Sequence, residues 1–298
     1  MRAWINGLTA ALLVGVVIGL MLTPDGRAWL RHPTLLLGGG ANASASPVPE
    51  AMSGVEAVAP ATASAAAPGP VGAPAGLRAA AADGTLRIGV FGDSMADGLW
   101  TALYRDLDGE GGVEVIKFSE VSTGLARYDY VDIQAKTAGQ ITAQPIDVAI
   151  ILFGTNDAQG IELDGSVHAF GTPGWRAAYA RRVDDLVSLL RGRGTAVYWV
   201  GLPKMKRESF DEKMRLINEV VGGRMRALNV PWIETTSVTV GADGGYEAYL
   251  PEVPGGRPRL MRAHDGIHMT MAGYLRIAAP LADRLRADAG LDQPASGR

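Results

Sequence analysis

Leu86-Arg-Ile-Gly-Val-Phe-Gly-Asp-Ser-Met95 reads as a short apolar run that ends in a polar, glycine-containing turn. Leu86–Phe91 has the length and the β-branched and aromatic content of a buried strand, and the turn after it does not belong to a core. Four further runs of the same kind follow, at Val113–Phe118, Asp147–Phe153, Thr195–Val200 and Val230–Ile233. Helical periodicity fills the gaps. Tyr179, Val183, Leu186 and Leu190 share one helical face, as do Met214, Ile217, Val221, Met225 and Leu228. Ser209-Phe-Asp-Glu212 reads as a capping box for the second of these helices. A last stripe, Tyr274, Ile277, Leu281 and Leu285, follows Thr270, which can cap it. Strands alternating with helices over about 200 residues predict an α/β fold, a five-stranded parallel sheet covered on both faces in three α/β/α layers, spanning residues 85–298. Ligands of such sheets sit beyond the carboxyl ends of the strands, near a reversal of strand order.

Upstream the chain changes character. Residues 3–22 (AWINGLTAALLVGVVIGLML) are uncharged and mostly apolar. Some 20 such residues span a hydrocarbon core as a helix, so 1–30 is predicted as a transmembrane signal anchor with a short flank. Signal peptidase needs small residues just after the apolar run, but Leu22 is followed by Thr-Pro-Asp-Gly-Arg-Ala-Trp, and Ala43-Ser44-Ala45 comes too late. The anchor is therefore read as uncleaved. Arg2 on one side faces Arg27 and Arg31 on the other, so charge alone does not set the orientation. Residues 31–84 are rich in Ala, Pro, Ser and Gly and read as a disordered linker with a reach of roughly 35–40 Å. Gly15 and Gly19 form a small-xxx-small pair too common in apolar helices to set an oligomeric state.

The 298-residue chain carries a formal net charge of −3, with its Lys and Arg residues scattered, so no nucleic-acid partner is expected. It has no cysteine, which excludes disulfides, thiolate nucleophiles and cysteine metal sites. Histidine occurs only at 32, 168, 264 and 268, so histidine-dependent chemistry has few places to be.

Two polar turns end core strands, Gly92-Asp93-Ser94-Met95 and Gly154-Thr155-Asn156-Asp157, and a third motif, His264-Asp265-Gly266-Ile267-His268, precedes the last helix. A serine hydroxyl is a weak nucleophile unless a base takes its proton, and histidine titrates in the right range, which makes His268 the base for Ser94. The imidazole needs an acceptor to fix its tautomer and to stabilise its charge, and Asp265 can fold back across the glycine turn to reach it. An oxyanion needs preorganised donors, for which the Asn156 amide and the backbone N–H groups of Ser94 and a loop glycine qualify. Asp157 reads as a structural acceptor. Asp93 or Ser94 can also serve as a helix cap. His264 and His268 with Asp265 between them hint at a metal pair, but Gly266 opposes a regular helix and no third ligand is evident, so no metal and no cofactor are expected.

GDSM at 92–95, Gly124 within Ser122-Thr-Gly-Leu125, GTND at 154–157 and DGIH at 265–268, in that order, resemble the four blocks of the SGNH (GDSL-type) hydrolases. Met95 stands where leucine is usual. The resemblance implies a flavodoxin-like SGNH hydrolase fold, a nucleophile at Ser94 assisted by Asp265 and His268, an oxyanion hole from Ser94, Gly124 and Asn156, and no metal. Taken with the predicted anchor, the expected protein is a bacterial, membrane-anchored member, single-pass in the inner (cytoplasmic) membrane with its catalytic domain on the periplasmic side. The expected substrate is an ester, with acetylated glycan of the cell envelope favoured. The same triad would also serve an O-acyltransferase, and a non-catalytic glycan-binding or assembly module is the third reading. Specificity is expected from two irregular loops, 158–174 and 239–262, in which Phe170, Trp175, Tyr246, Tyr249 and Arg262 are candidates to line a groove. His168 is read as an exposed loop residue, and Trp100 as core.

Overall fold

The computed structural model describes residues 71–252 and 255–291. The predicted anchor at 3–22 and the first part of the linker lie outside the described residues. Among the described residues no helix is long and apolar enough to cross a membrane.

The chain enters through α1 (Leu77–Ala82) and β1 (Leu86–Gly92), followed by α2 (Ser94–Leu107) and β2 (Val113–Lys117). Next come α3 (Ile133–Ala143), β3 (Val148–Leu152), and a hairpin of β4 (Ile161–Leu163) and β5 (Ser166–His168). After it run α4 (Pro173–Arg191), β6 (Ala196–Val200), α5 (Glu208–Ala227), β7 (Trp232–Ile233) and the single turn α6 (Thr236–Thr239). A second hairpin, β8 (Tyr249–Pro251) with β9 (Pro258–Leu260), leads to α7 (Met271–Ala289). All five predicted core strands form on their apolar runs, β1 reaching one residue further, to Gly92. They pair in parallel in the order β2-β1-β3-β6-β7. β7 is cut to two residues because Pro231 has no N–H to give to the ladder, although its carbonyl accepts from the Trp199 amide. α2 packs against α7 on one face of the sheet, and α4 packs against α5 and α3 on the other. The predicted stripes of α4, α5 and α7 are the faces they bury.

Strand order reverses between β1 and β3: the chain steps from β1 to β2 on one side and returns to pair β3 on the other. The carboxyl ends of β1 and β3 therefore lie side by side, with Gly92 opposite Leu152. That is the crevice where α/β sheets place ligands.

Four expectations need correction. The predicted linker ends earlier than residue 84, because α1 docks on α7: Leu77 enters the core, and the Arg78 guanidinium donates to the carbonyls of Ala287 and Asp288. One large apolar residue followed by an arginine was enough to dock a segment whose composition is that of a tether. The capping box at 209–212 does not form. α5 begins at Glu208 with Arg207 as its N-cap and no side-chain cap, so Ser209 falls inside the first turn; Asp211 is buried and accepts from the Met205 amide and Lys204 Nζ, both at 2.8 Å. Neither long loop is irregular throughout. Residues 161–168 form a hairpin around Asp164 and Gly165, whose φ values of 51° and 75° are those a two-residue turn between twisted strands requires. His168 consequently stands half-buried on a strand. Within 239–262 the β8–β9 hairpin forms.

Candidate active site

The turn after β1 is forced by Gly92. Its φ of 147° and its approach to the Leu152 carbonyl, 2.0 Å from where a Cβ would stand, leave no room for a side chain. The chain can then break directly into α2, whose first residue is Ser94. Asp93, not Ser94, is the N-cap. One carboxylate oxygen accepts from the Met95 amide at 2.9 Å. The other accepts from the Thr155 hydroxyl at 2.7 Å and from the Thr155 and Gly154 amides at 3.1 and 3.3 Å. A fully buried side chain thus ties the first polar turn to the second. Burial pushes its pKa above the ordinary carboxylate value, against the hydrogen bonds it accepts.

Ser94 Oγ lies 2.7 Å from His268 Nε2, and His268 Nδ1 lies 2.6 Å from Asp265 Oδ2. Residues 174 positions apart in the chain thus form one hydrogen-bonded line. Gly266, at φ 71°, lets the backbone fold so that Asp265 Oδ1 also accepts from the amides of Ile267 and His268, each at 2.9 Å. Partial burial raises the Asp265 pKa, but the hydrogen bonds from the His268 ring and the two amides outweigh it and hold the carboxyl below its usual value. The aspartate is ionised at neutral pH. Both ring nitrogens of His268 are occupied, by Ser94 and by Asp265, which leaves no free lone pair for the metal pairing with His264.

Asn156 Nδ2 donates to the Thr123 carbonyl at 2.9 Å, which ties its amide to the loop that carries Gly124. Gly124 is more than a turn residue. A Cβ there would sit 2.2 Å from Asp157 Oδ1, and that close approach lets Asp157 clamp the loop through the Ala126 amide at 2.8 Å. Ser94, as the first residue of α2, has no intrahelical partner for its amide. The turns that follow β1, β2 and β3, which carry Ser94, Gly124 and Asn156, thus lie at the same end of the sheet.

Asp157 is the structural acceptor expected, buried between Ala126 and the Tyr179 hydroxyl, which donates to it at 2.7 Å. Burial pushes its pKa up to about 6, against those hydrogen bonds. The folded-state value lies above the ordinary aspartate value of 3.8, so the stability this group contributes is present in acid and is lost as pH rises through about 6. Relative to Asp157→Asn, the wild type should lose on the order of 5 °C in Tm as pH goes from about 4 to about 7. Thermal melts of both proteins across that range check this, and a constant difference would contradict it.

Two arginines that position the site were not found as such in the sequence. Arg182, buried on the apolar face of α4, donates to the Leu125 carbonyl at 2.5 Å and also to the Glu162 carbonyl, so it holds the Gly124 loop against the first hairpin. An arginine inside the stripe of Tyr179, Val183 and Leu186 was the available signal. Arg262, 1% exposed, donates to the carbonyls of Lys204, Gly266 and Ile267 at 2.6, 3.3 and 3.0 Å and so fixes the histidine loop. It does not line a groove. Tyr246 lies beneath its guanidinium, 5.0 Å from the ring centroid. Trp175 is likewise core, fully buried and stacked on Tyr179 at 4.7 Å, with half-buried Phe170 against its edge. Only Tyr249 of the five candidates is exposed. Trp100 is partly buried against the core and donates to the Val115 carbonyl.

The sequence profile of one family, described as "Protein of unknown function (DUF459)", matches residues 87–284. No curated protein matches the chain. Among solved structures, the fold is similar to a GDSL-like lipase from Bacteroides thetaiotaomicron, at 16% identity and TM-score 0.48, over 67% of this chain and 88% of that one. It is also similar to an acetyl xylan esterase, at 15% identity and TM-score 0.49, over 67% of this chain and 99% of that one. An M. smegmatis aryl esterase matches at 20% identity and TM-score 0.46, over 68% and 99%.

Proposed function

The chain belongs to the DUF459 family, described as proteins of unknown function, so its activity has to be read from its site, and we propose that it is a serine esterase. The observation that carries this reading is the line Ser94–His268–Asp265, with contacts of 2.7 and 2.6 Å; the amides of Ser94 and Gly124 and the Asn156 side chain are assigned as its oxyanion donors. In the reaction His268 Nε2 takes the Ser94 proton as Oγ bonds to the acyl carbon, and the carbonyl oxygen becomes an oxyanion held by the three donors. Collapse of the tetrahedral species breaks the C–O bond to the alcohol, which leaves with the proton from His268. Water, deprotonated by the same imidazole, then releases the acid and restores Ser94.

Exposure favours hydrolysis over transfer to another alcohol. The His268 and Asp265 side chains are 37% and 46% exposed, so water has open access to an acyl group on Ser94. The substrate proposed is an O-acetyl ester of an envelope polysaccharide or peptidoglycan, reached from a membrane anchor at 3–22 through the linker, with the domain on the extracytoplasmic side. The apolar, uncharged character of 3–22 and the Ala- and Pro-rich stretch after it support that placement. The full chain in detergent, incubated with O-acetylated envelope polymers, should release acetate. Release from lipid esters and from none of the polymers would replace the substrate class while keeping the mechanism.

A further inference from the structure

A cavity of about 190 Å³ opens beside the histidine loop, lined by Arg207, Phe210, Asp265, Gly266 and Ile267. It is smaller than the 300–1,000 Å³ typical of a whole-ligand pocket, so it takes one ring or group of a larger substrate. Its place relative to Ser94 says which group. Two of the three oxyanion donors, Gly124 and Asn156, come from the loops after β2 and β3, whereas the cavity lies between the loop after β6 and the residues that carry His268. The imidazole hands its proton to the departing oxygen, so the alcohol half of the ester lies on the His268 side. The cavity is on that side.

Its chemistry is apolar below and cationic above. Phe210 and Ile267 supply carbon surface, and the Arg207 guanidinium lies 5.5 Å from the Phe210 ring centroid. Lys206 lies at the edge, with its stem across Gly266. Among the described residues no carboxylate comes within 4 Å of the charged group of Lys206 or Arg207, both of which are exposed. Lys204, by contrast, is already neutralised by Glu208 and Asp211 at 3.2 and 2.8 Å. The one carboxylate in the lining, Asp265, is turned away to the His268 ring and to the amides of Ile267 and His268.

We propose that this cavity binds the alcohol half of the substrate and that Arg207, with Lys206, selects an acylated sugar bearing a carboxylate. The inference rests on the esterase reading above. A guanidinium pairs bidentately with a carboxylate, while Phe210 and Ile267 take the apolar face of the ring.

Two acetylated methyl glycosides that differ only at C6, a glucuronoside and a glucoside, test this with the full chain in detergent. The wild type should show about a 10-fold higher kcat/KM on the glucuronoside, falling as salt is raised. Arg207→Gln should bring the ratio of the two kcat/KM values most of the way to one, and the Arg207→Gln/Lys206→Gln double variant the rest. Arg105→Gln removes an exposed cation from the last turn of α2, the end far from Ser94, and should leave the ratio at its wild-type value. No preference in the wild type, or a preference that survives in Arg207→Gln, overturns the proposal while the esterase reading stands. Hydrolysis of neither glycoside or of any other acetyl ester overturns both, and hydrolysis equal to that of Ser94→Ala identifies this outcome.

Discussion

Ser94→Ala lowers kcat on a small acetyl ester by about 10⁶-fold and leaves Tm within a few degrees of wild type. The activity loss is large because no other group in the crevice replaces the nucleophile: His268 and Asp265 can still polarise a water, but they lose the covalent step. The small stability effect follows from the division of labour in the turn. The cap of α2 is Asp93, and among the described residues the only side-chain hydrogen bond of Ser94 is to His268, whose ring is partly exposed and can turn to water instead. Steady-state hydrolysis of 4-nitrophenyl acetate and a thermal melt of the same preparation decide it. Activity within 10-fold of wild type would remove Ser94 from the chemistry, and a protein that no longer folds would mean that the serine, too, is part of the framework.

The separation between chemistry and framework also explains what could be read in the residues. Five apolar runs fixed the sheet because a strand buried on both faces must be apolar along its whole length, as β3 is from Val148 to Leu152. Ser94 was legible for a similar reason, since a polar turn at the end of such a strand has no structural need for a serine, and Asp265 and His268 because a polar Asp-Gly-x-His turn before the last helix has no place in a core. The supporting residues were harder to assign. Trp175 and Arg262 sit in segments that look like loops, and residue type alone does not say whether a tryptophan or an arginine faces a groove or the interior. Each is buried because a local backbone group needs its polar end, the Gln159 carbonyl for Trp175 and the carbonyls around Gly266 for Arg262. The hairpin at 161–168 was signalled by Asp164-Gly165, but three-residue strands leave almost no periodicity to detect. The capping box at 209–212 failed because the helix starts earlier than its residues imply, at Glu208 with Arg207 as the N-cap, which leaves Ser209 inside the first turn. Asp93 shows the limit in the other direction. Its cap on Met95 was foreseeable from position, whereas its bonds to Gly154 and Thr155 join segments 61 and 62 residues away and depend on β1 and β3 being neighbours.

Asp265→Asn is expected to cost about 10⁴-fold in kcat, with little change in Tm. Asp265 Oδ1 accepts from two backbone amides, which only an acceptor can satisfy. An asparagine therefore keeps its carbonyl oxygen there and turns its NH₂ towards His268 Nδ1. Facing a donor, the imidazole adopts the tautomer protonated on Nε2, which cannot take the proton of Ser94. The stability effect is small because the loop keeps both amide bonds and the lost pair is partly exposed, where an ion pair contributes little. Asp265→Ala loses the amide bonds as well and should melt lower than the asparagine variant while being no more active. Comparing kcat and Tm across the three proteins separates a role in orienting the base from one in holding the loop. Near-wild-type kcat in Asp265→Asn would show that His268 needs no acceptor at Nδ1. A fall in kcat that only tracks the loss of Tm would make Asp265 a residue of the fold.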